Sequence, residues 1–256
     1  MANLEPLIQS IPVAPLKLAS LEGCRTLADQ VNNYLVSFRH ESPTNVGQAD
    51  SLQGYCADSY LLECECPRFG SGEGKGVLKE SVRGCDLFIM VDVTNYSLTY
   101  RVNGYENHMS PDNHYQDLKR IISAADGKAR RINVIMPFLY EGRQHKRSKR
   151  ESLDCALMLQ ELVDMGVSNI LTFDAHDPRV SNSIPLHGFD SFMPTYQFLK
   201  ALVNSVPDFV IDNDHLMIIS PDEGAMGRAV YFSNILGVDM GMFYKRRDYS
   251  TVVNGK

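Results

Sequence analysis

The chain has 256 residues and a net charge of −6, and 44% of its residues are hydrophobic and 22% charged. This length suffices for one large domain or two smaller ones, and the composition is that of an ordinary globular protein. The negative charge argues against a general nucleic-acid-binding protein, so any anion site must be local. Neither a membrane-length apolar run nor a basic secretory signal is present, so we expect no nucleic-acid partner and no membrane association.

The six cysteines are scattered and form no C-x-x-C pair. This pattern is typical of reduced thiols, which predicts a cytoplasmic protein without a disulfide framework. Cys64 and Cys66 flank a glutamate and form half of a metal site at most, because no second pair of ligands follows.

Apolar runs and amphipathic segments alternate along the chain. In chain order, the sequence predicts a helix at 22–36, a long loop at 40–75, a strand at 87–93, a loop at 97–112, a helix at 113–125, a strand at 132–138, a helix at 150–165, strands at 170–173 and 216–219, a helix at 223–236 and a strand at 238–243. The strands are short and continuously apolar, as in strands buried on both faces. The alternation predicts an α/β fold with a mainly parallel sheet.

Four of the predicted strands run directly into polar segments. They are followed by "GRQHKRSKR", "DAHDP", "SPDEGAMGR" and "YKRRDYS". In open parallel sheets, ligands bind beyond the carboxyl ends of the strands. Carboxylates and imidazole suit a divalent metal, whereas Lys and Arg suit phosphate. The strand ends therefore predict a metal–nucleotide or metal–polyphosphate site.

Each polar segment also has a simpler explanation. Asp174 and Asp177 could cap the next segment, and a lone His176 is more often structural than a ligand. The basic run from 143 to 150 could be a solvated helix start or a nucleic-acid patch. "SPDEGAMGR" could be an ordinary helix N-terminus with favourable acidic residues. The shared position of these segments at strand ends favours the functional interpretation.

The order of the motifs resembles that of ribose-phosphate pyrophosphokinases (PRPP synthases). "FGSGEG", "SVRGCD", "PFLYEGRQHKRSKR", "DAHDP", "SPDEGAMGR" and "YKRRDYS" follow one another as the family's motifs do. The resemblance implies two phosphoribosyltransferase-like domains with mainly parallel sheets, an N-terminal one over 1–190 and the start of a second over 191–256. The family's sugar-phosphate loop has no counterpart here, so we expect a chain truncated within an incomplete second domain.

The resemblance also implies a reaction and a set of site residues. The reaction transfers the diphosphoryl group of ATP to ribose 5-phosphate, with Mg²⁺ as cofactor. The implied catalytic residues are Lys245 and Arg247, the ribose-5-phosphate ligands Arg247 and Asp222, and the metal ligands His176 and Asp222. The implied ATP-binding residues are Phe69, Ser71, Gly72, Glu73, Arg143, Gln144 and His176. Because Phe69 and 71–73 would reach the ATP of a neighbouring subunit, a homo-oligomer is expected.

The sequence departs from the family at several positions. Ser71 and His145 stand where the family usually has Asp, and the segments around 40–63 and 100–108 are longer than usual. Two other classes therefore stay open. One is a catalytically silent homologue that regulates an active synthase, against which the retained His176 and Lys245 argue. The other is a phosphoribosyltransferase, which would need the acidic Thr/Gly-rich loop that this sequence lacks.

Overall fold

A computed structural model describes residues 12–41 and 54–244. The chain divides into two compact units, Met1–Phe192 and Met193–Lys256, whereas the sequence analysis placed a domain boundary after residue 190. The units are described separately below. Within the described ranges, no helix combines the length and the apolar character needed to cross a membrane.

The first unit contains a six-stranded sheet. Its strands are β1 (Leu16–Ser20), β2 (Leu61–Leu62), β5 (Asp86–Met90), β8 (Arg131–Ile135), β9 (Val167–Phe173) and β10 (Gly188–Phe192). They lie in the order β10-β9-β8-β5-β1-β2, and all five neighbouring pairs are parallel. The strand order reverses between β1 and β5, as it does in doubly wound sheets. The α/β class and the parallel sheet are therefore confirmed.

Alternate residues of the central strand β5 face two separate apolar clusters. Leu87 and Ile89 belong to the larger cluster, whereas Met90 belongs to a smaller one on the other face, against which Phe88 packs. This alternation follows from the two-residue period of a strand, and it explains why the run is continuously apolar.

Three helices cover the faces of this sheet, α1 (Arg25–Glu41), α2 (Pro111–Ala124) and α3 (Asp154–Asp164). Buried residues of α1 lie in the smaller cluster, and those of α2 and α3 in the larger one. A capping box between Ser110 and Asn113, with Pro111 in the first turn, fixes where α2 begins. The positive φ of 90° at Gly166 marks the end of the α3 segment, as its position in the sequence predicts.

The prediction of long loops or insertions without strands at 40–75 and 97–112 is wrong for the described part of those segments. Strand β2 lies in the first segment, as does β3 (Cys64–Glu65), which pairs with β4 (Val77–Leu78). The second segment forms a hairpin of β6 (Thr99–Val102) and β7 (Tyr105–His108). Its two-residue turn, Asn103-Gly104, has positive φ at both positions, as the Asn-Gly preference of such turns requires.

The second unit contains α4 (Thr195–Ser205), β11 (Ile218–Ser220), a short 3₁₀ helix (Glu223–Ala225), α5 (Met226–Leu236) and β12 (Met240–Met242). β11 and β12 pair in parallel, and α5 connects them. Gly237 follows α5 with φ 67°, so that it serves as the left-handed cap that the sequence predicts. Both strands are shorter than the apolar runs that predicted them, and α4 was not predicted.

Candidate functional site

The loops that follow β8 and β9 leave the sheet side by side. Backbone pairing continues past the end of β8, since Met136 N–H donates to the Leu171 carbonyl (2.8 Å) and Phe173 N–H donates to the Pro137 carbonyl (3.3 Å). Two of the polar segments predicted to share one edge of the sheet therefore do so. The register of two adjacent parallel strands produces this proximity.

His145 and His176 meet where these two loops emerge. Their ring centroids are 4.9 Å apart, with an interplanar angle of 36°. His145 Nδ1 lies 3.1 Å from the backbone oxygen of Arg143, and its Nε2 lies 3.7 Å from Asp177 Oδ2. The side chains of His145 and Asp177 are 10% and 14% exposed, whereas His176 is exposed. His145 thus lies against the residue that the sequence assigns to metal and nucleotide.

Asp177 has a structural role of its own. It is the N-cap of the 3₁₀ helix Pro178–Ser183, and it accepts hydrogen bonds from the backbone and the guanidinium of Arg179. The guanidinium hydrogen bond is the main reason that the pKa of Asp177 lies far below its ordinary value. Asp177 is therefore an ionised cap, as one of the alternatives from the sequence had it.

Arg143 and Gln144 occupy the loop after β8. The exposed Arg143 guanidinium lies 5.8 Å from the centre of the Phe138 ring. The Gln144 side-chain amide donates to the Ser152 carbonyl, and the Gln144 carbonyl accepts from Cys155 N–H (3.3 Å). Gln144 thus joins this loop to the start of α3, while Arg143 presents its charge to solvent beside His145.

The segment Phe69–Glu73 forms a closed turn. Phe69 N–H donates to the Glu73 carbonyl (2.7 Å), Gly72 N–H donates to the Phe69 carbonyl (2.9 Å), and the Ser71 hydroxyl donates to Glu73 Oε2 (2.7 Å). Gly72 has a φ of 91°, which suits glycine. Phe69 is 53% exposed, so the turn presents an aromatic ring and a carboxylate to solvent.

A buried ion cluster joins this turn to helix α2. Arg68 donates two hydrogen bonds to Asp117 (2.6 and 2.8 Å), and Arg120 donates a third (2.6 Å). The side chains of Arg68 and Asp117 are 10% and 6% exposed. Although burial opposes its charge, the contact with Asp117 raises the pKa of Arg68. The sequence analysis missed this cluster, since its members are far apart in the chain.

The remaining predicted site residues lie elsewhere. No hydrogen bond, ion pair or ring contact between described residues joins the Phe69–Glu73 turn to Arg143, Gln144 or His176. Asp222, in the second unit, caps the 3₁₀ helix that follows it by accepting from Ala225 N–H (3.1 Å). Lys245 and Arg247 lie outside the described residues.

Metal-binding geometry is not preformed in residues 12–41 and 54–244, where no three His, Cys, Asp or Glu side chains are grouped to hold an ion. All six cysteines are free thiols. Burial raises the pKa of Cys64 to about 11 and, with help from Asp117, that of Cys66 to about 12. The weak metal interpretation of Cys64 and Cys66 thus gains no support from the geometry.

A cavity of about 380 Å³ lies next to the turn that follows β1, near the point where the strand order reverses. Its lining includes Gly23, Arg25, Arg68, Tyr100 and His114. None of the predicted site residues lines it, although ligand pockets are often found at such switch points. The strand-end residues, which combine imidazole and guanidinium groups, remain the better candidate for phosphate chemistry.

Comparison with known sequences identifies relatives of this chain. The family described as the N-terminal domain of ribose phosphate pyrophosphokinase matches residues 16–166. A ribose-phosphate pyrophosphokinase from Staphylococcus epidermidis is 28% identical over 191 residues, which are 73% of this chain and 53% of the relative. One from Clostridium perfringens is 28% identical over 197 residues, or 75% of this chain and 55% of the relative. The chain thus spans about half the length of the curated relatives it matches.

A solved structure has the same fold. The crystal structure of phosphoribosylpyrophosphate synthetase from Mycobacterium smegmatis aligns with a TM-score of 0.65 and 22% sequence identity. The alignment covers 91% of this chain and 65% of that one. At this level of identity, the match supports the fold.

Proposed function

The chain belongs to the ribose-phosphate pyrophosphokinase family. We therefore propose that it is a ribose-phosphate diphosphokinase, an enzyme that transfers the diphosphoryl group of ATP to ribose 5-phosphate. The 1-hydroxyl oxygen of the sugar attacks the β-phosphorus, the bond from that phosphorus to the α-phosphate oxygen breaks, and AMP leaves. The hydroxyl proton is lost, and the product is PRPP. The observation that carries this proposal is that Arg143, His145 and His176 lie together where two adjacent strands end.

Such a transfer needs in-line positioning and cations more than it needs covalent chemistry by the protein. We assign Arg143 and Gln144 to ATP, with the exposed guanidinium as the phosphate contact and Gln144 as the residue that holds the loop. We assign the exposed imidazole of His176 to the phosphates and their metal ion. Lys245 and Arg247 would add charge-stabilising contacts, and Arg247 with Asp222 would bind the sugar phosphate.

Mg²⁺ is the proposed cofactor, and it would neutralise phosphate charge when bound. Magnesium prefers oxygen ligands, whereas His176 would meet the ion at the ATP phosphates through a ring nitrogen. Asp222 is assigned separately, to a second magnesium or to the ribose hydroxyls. One Asp222 oxygen already accepts a hydrogen bond from Ala225 N–H. We therefore expect the phosphate oxygens of ATP to be the main ligands of the ion at His176.

The Phe69–Glu73 turn supports a homo-oligomer. Its exposed ring and carboxylate suit stacking on adenine and hydrogen bonding to its amino group. Because no contact joins this turn to the strand-end residues of the described chain, we propose that it serves the ATP of a neighbouring subunit. A cytoplasmic location fits this substrate class and the free thiols.

The test measures AMP release from ATP, with and without ribose 5-phosphate, in the natural full-length protein. His176→Ala should lower kcat by roughly a hundredfold, because it removes a contact that stabilises transferring phosphate. Arg143→Ala should lower kcat/KM for ATP by a similar factor. The matched control is Arg147→Ala, an exposed residue of the same basic run, which should leave both constants unchanged.

The proposal fails if AMP release does not depend on the sugar. A protein that is inactive alone but changes the rate of an active synthase on mixing would instead be a silent regulatory homologue.

A further inference from the structure

The two strand-end imidazoles form a pair that a single cation could bridge. His145 and His176 come from the loops after β8 and β9, and their ring centroids are 4.9 Å apart. His145 is largely enclosed and His176 is exposed. The pair thus has one fixed ring and one open side, from which an ion and its remaining ligands can enter.

The hydrogen bond of His145 determines which nitrogen is available. Nδ1 lies 3.1 Å from the Arg143 carbonyl oxygen, which can only accept, so Nδ1 carries the hydrogen. In the neutral ring, Nε2 then keeps its lone pair. Histidine ligands of metals commonly have this arrangement, in which the second ring nitrogen donates to a backbone carbonyl.

The surroundings of Nε2 also suit a cation. Asp177 Oδ2 lies 3.7 Å away, beyond hydrogen-bonding distance. An ion bound at Nε2 would therefore have a carboxylate near it, whose negative charge favours a cation. Arg179 already binds Asp177, so we take the carboxylate as a neighbouring charge and not as a required ligand.

The donor atoms decide which ion is favoured. Imidazole nitrogen suits borderline first-row ions such as Co²⁺, Ni²⁺ and Zn²⁺, whereas Mg²⁺ prefers oxygen. A carboxylate at position 145 would favour magnesium, but His145 adds a second imidazole. We propose that His145 and His176 together bind a borderline transition-metal ion, such as Co²⁺ or Zn²⁺, in preference to Mg²⁺, with water or phosphate oxygens completing its coordination.

This inference rests on the proposed function only for the phosphate ligands, and its test omits ATP and sugar. Tag-free protein is titrated with Co²⁺ alone, and binding is followed by visible d–d absorption and calorimetry. A parallel titration uses Mg²⁺. The variants are His145→Gln, His145→Asp and His176→Ala, and the control is His187→Asp, which changes an exposed histidine of the same unit. Circular dichroism shows whether each variant is folded.

We expect one tight Co²⁺ ion per chain, which equimolar Mg²⁺ does not displace. His145→Gln and His176→Ala should each weaken Co²⁺ binding by about tenfold or more, and His187→Asp should not. His145→Asp should lower the ratio of Co²⁺ to Mg²⁺ affinity by a similar factor. Equal Co²⁺ affinity in wild type and His145→Gln, both folded, would overturn the proposal, as would displacement of Co²⁺ by equimolar Mg²⁺. Neither result bears on sugar-dependent AMP release.

Discussion

Replacement of Asp117 by alanine should unfold the protein at clearly lower denaturant concentrations. Asp117 is the shared acceptor of the buried ion cluster, and it takes three hydrogen bonds from Arg68 and Arg120. Without it, two guanidinium groups face each other with no anion between them. The Arg68 side chain is only 10% exposed and cannot regain a full hydration shell.

The expected cost follows from burial. Removal of one partner of a buried ion pair costs about 3–5 kcal/mol, since the other partner remains as an uncompensated charge. Arg120 is more exposed than Arg68 and can recover some hydration, so we expect the lower end, about 3 kcal/mol. For a chain of this size, that loss corresponds to a fall in Tm of roughly 6–12 °C.

Urea denaturation followed by far-UV circular dichroism measures the free energy of unfolding. Asp117→Asn separates charge from shape, because it fills the same space but turns an amino group towards a guanidinium, and it should cost nearly as much as alanine. The control is Glu80→Ala, which removes an exposed ion pair with Lys17 and should cost less than about 1 kcal/mol. If Asp117→Ala costs no more than this control, the cluster does not stabilise the fold as argued.

Two further predictions concern packing and thiol chemistry. Gly76→Ala should destabilise the protein by about 1–3 kcal/mol, because its Cβ would lie 2.4 Å from the Arg120 carbonyl oxygen. Gly70→Ala, whose Cβ meets nothing within 4 Å, should be nearly neutral in the same urea titration. Burial raises the pKa of Cys24 to about 12, so iodoacetamide at pH 8 should alkylate the exposed Cys56 and spare Cys24 in the folded protein. Peptide mass mapping decides this, and rapid alkylation of Cys24 would contradict its burial.

The sequence predicts strands best where both faces of the strand are buried. Strands β5 and β8 contact both apolar clusters, and their continuous apolar runs indicate it. β1 was missed because Lys17 interrupts its short run, and β10 because Asp190 and Ser191 lie in an edge strand that is only half buried. The hairpin of β6 and β7 was missed although Asn103-Gly104 is a strong hairpin sequence, since its flanking strands are mostly polar.

The candidate site was predictable only in part, for a related reason. Parallel strands end at one edge, so the proximity of the segments with Arg143 and His176 follows from the strand assignment alone. The contact between His145 and His176 depends on loop conformation, and the pairing of Arg68 with Asp117 joins residues 49 positions apart. Such contacts arise from tertiary packing, which no local pattern specifies.

Two of the departures from the family that the sequence suggests lie in one continuous piece of structure. Ser71 lies in the turn that presents Phe69, and the hairpin of β6 and β7 contains the longer segment. The Arg68 guanidinium lies 5.3 Å from the centre of the Tyr100 ring, and a Cβ on Gly72 would lie 3.0 Å from Val102 Cγ2. The hairpin therefore packs against both ends of the turn. Since Arg68 also binds Asp117 of α2, we expect a change in the hairpin to alter the orientation of the turn.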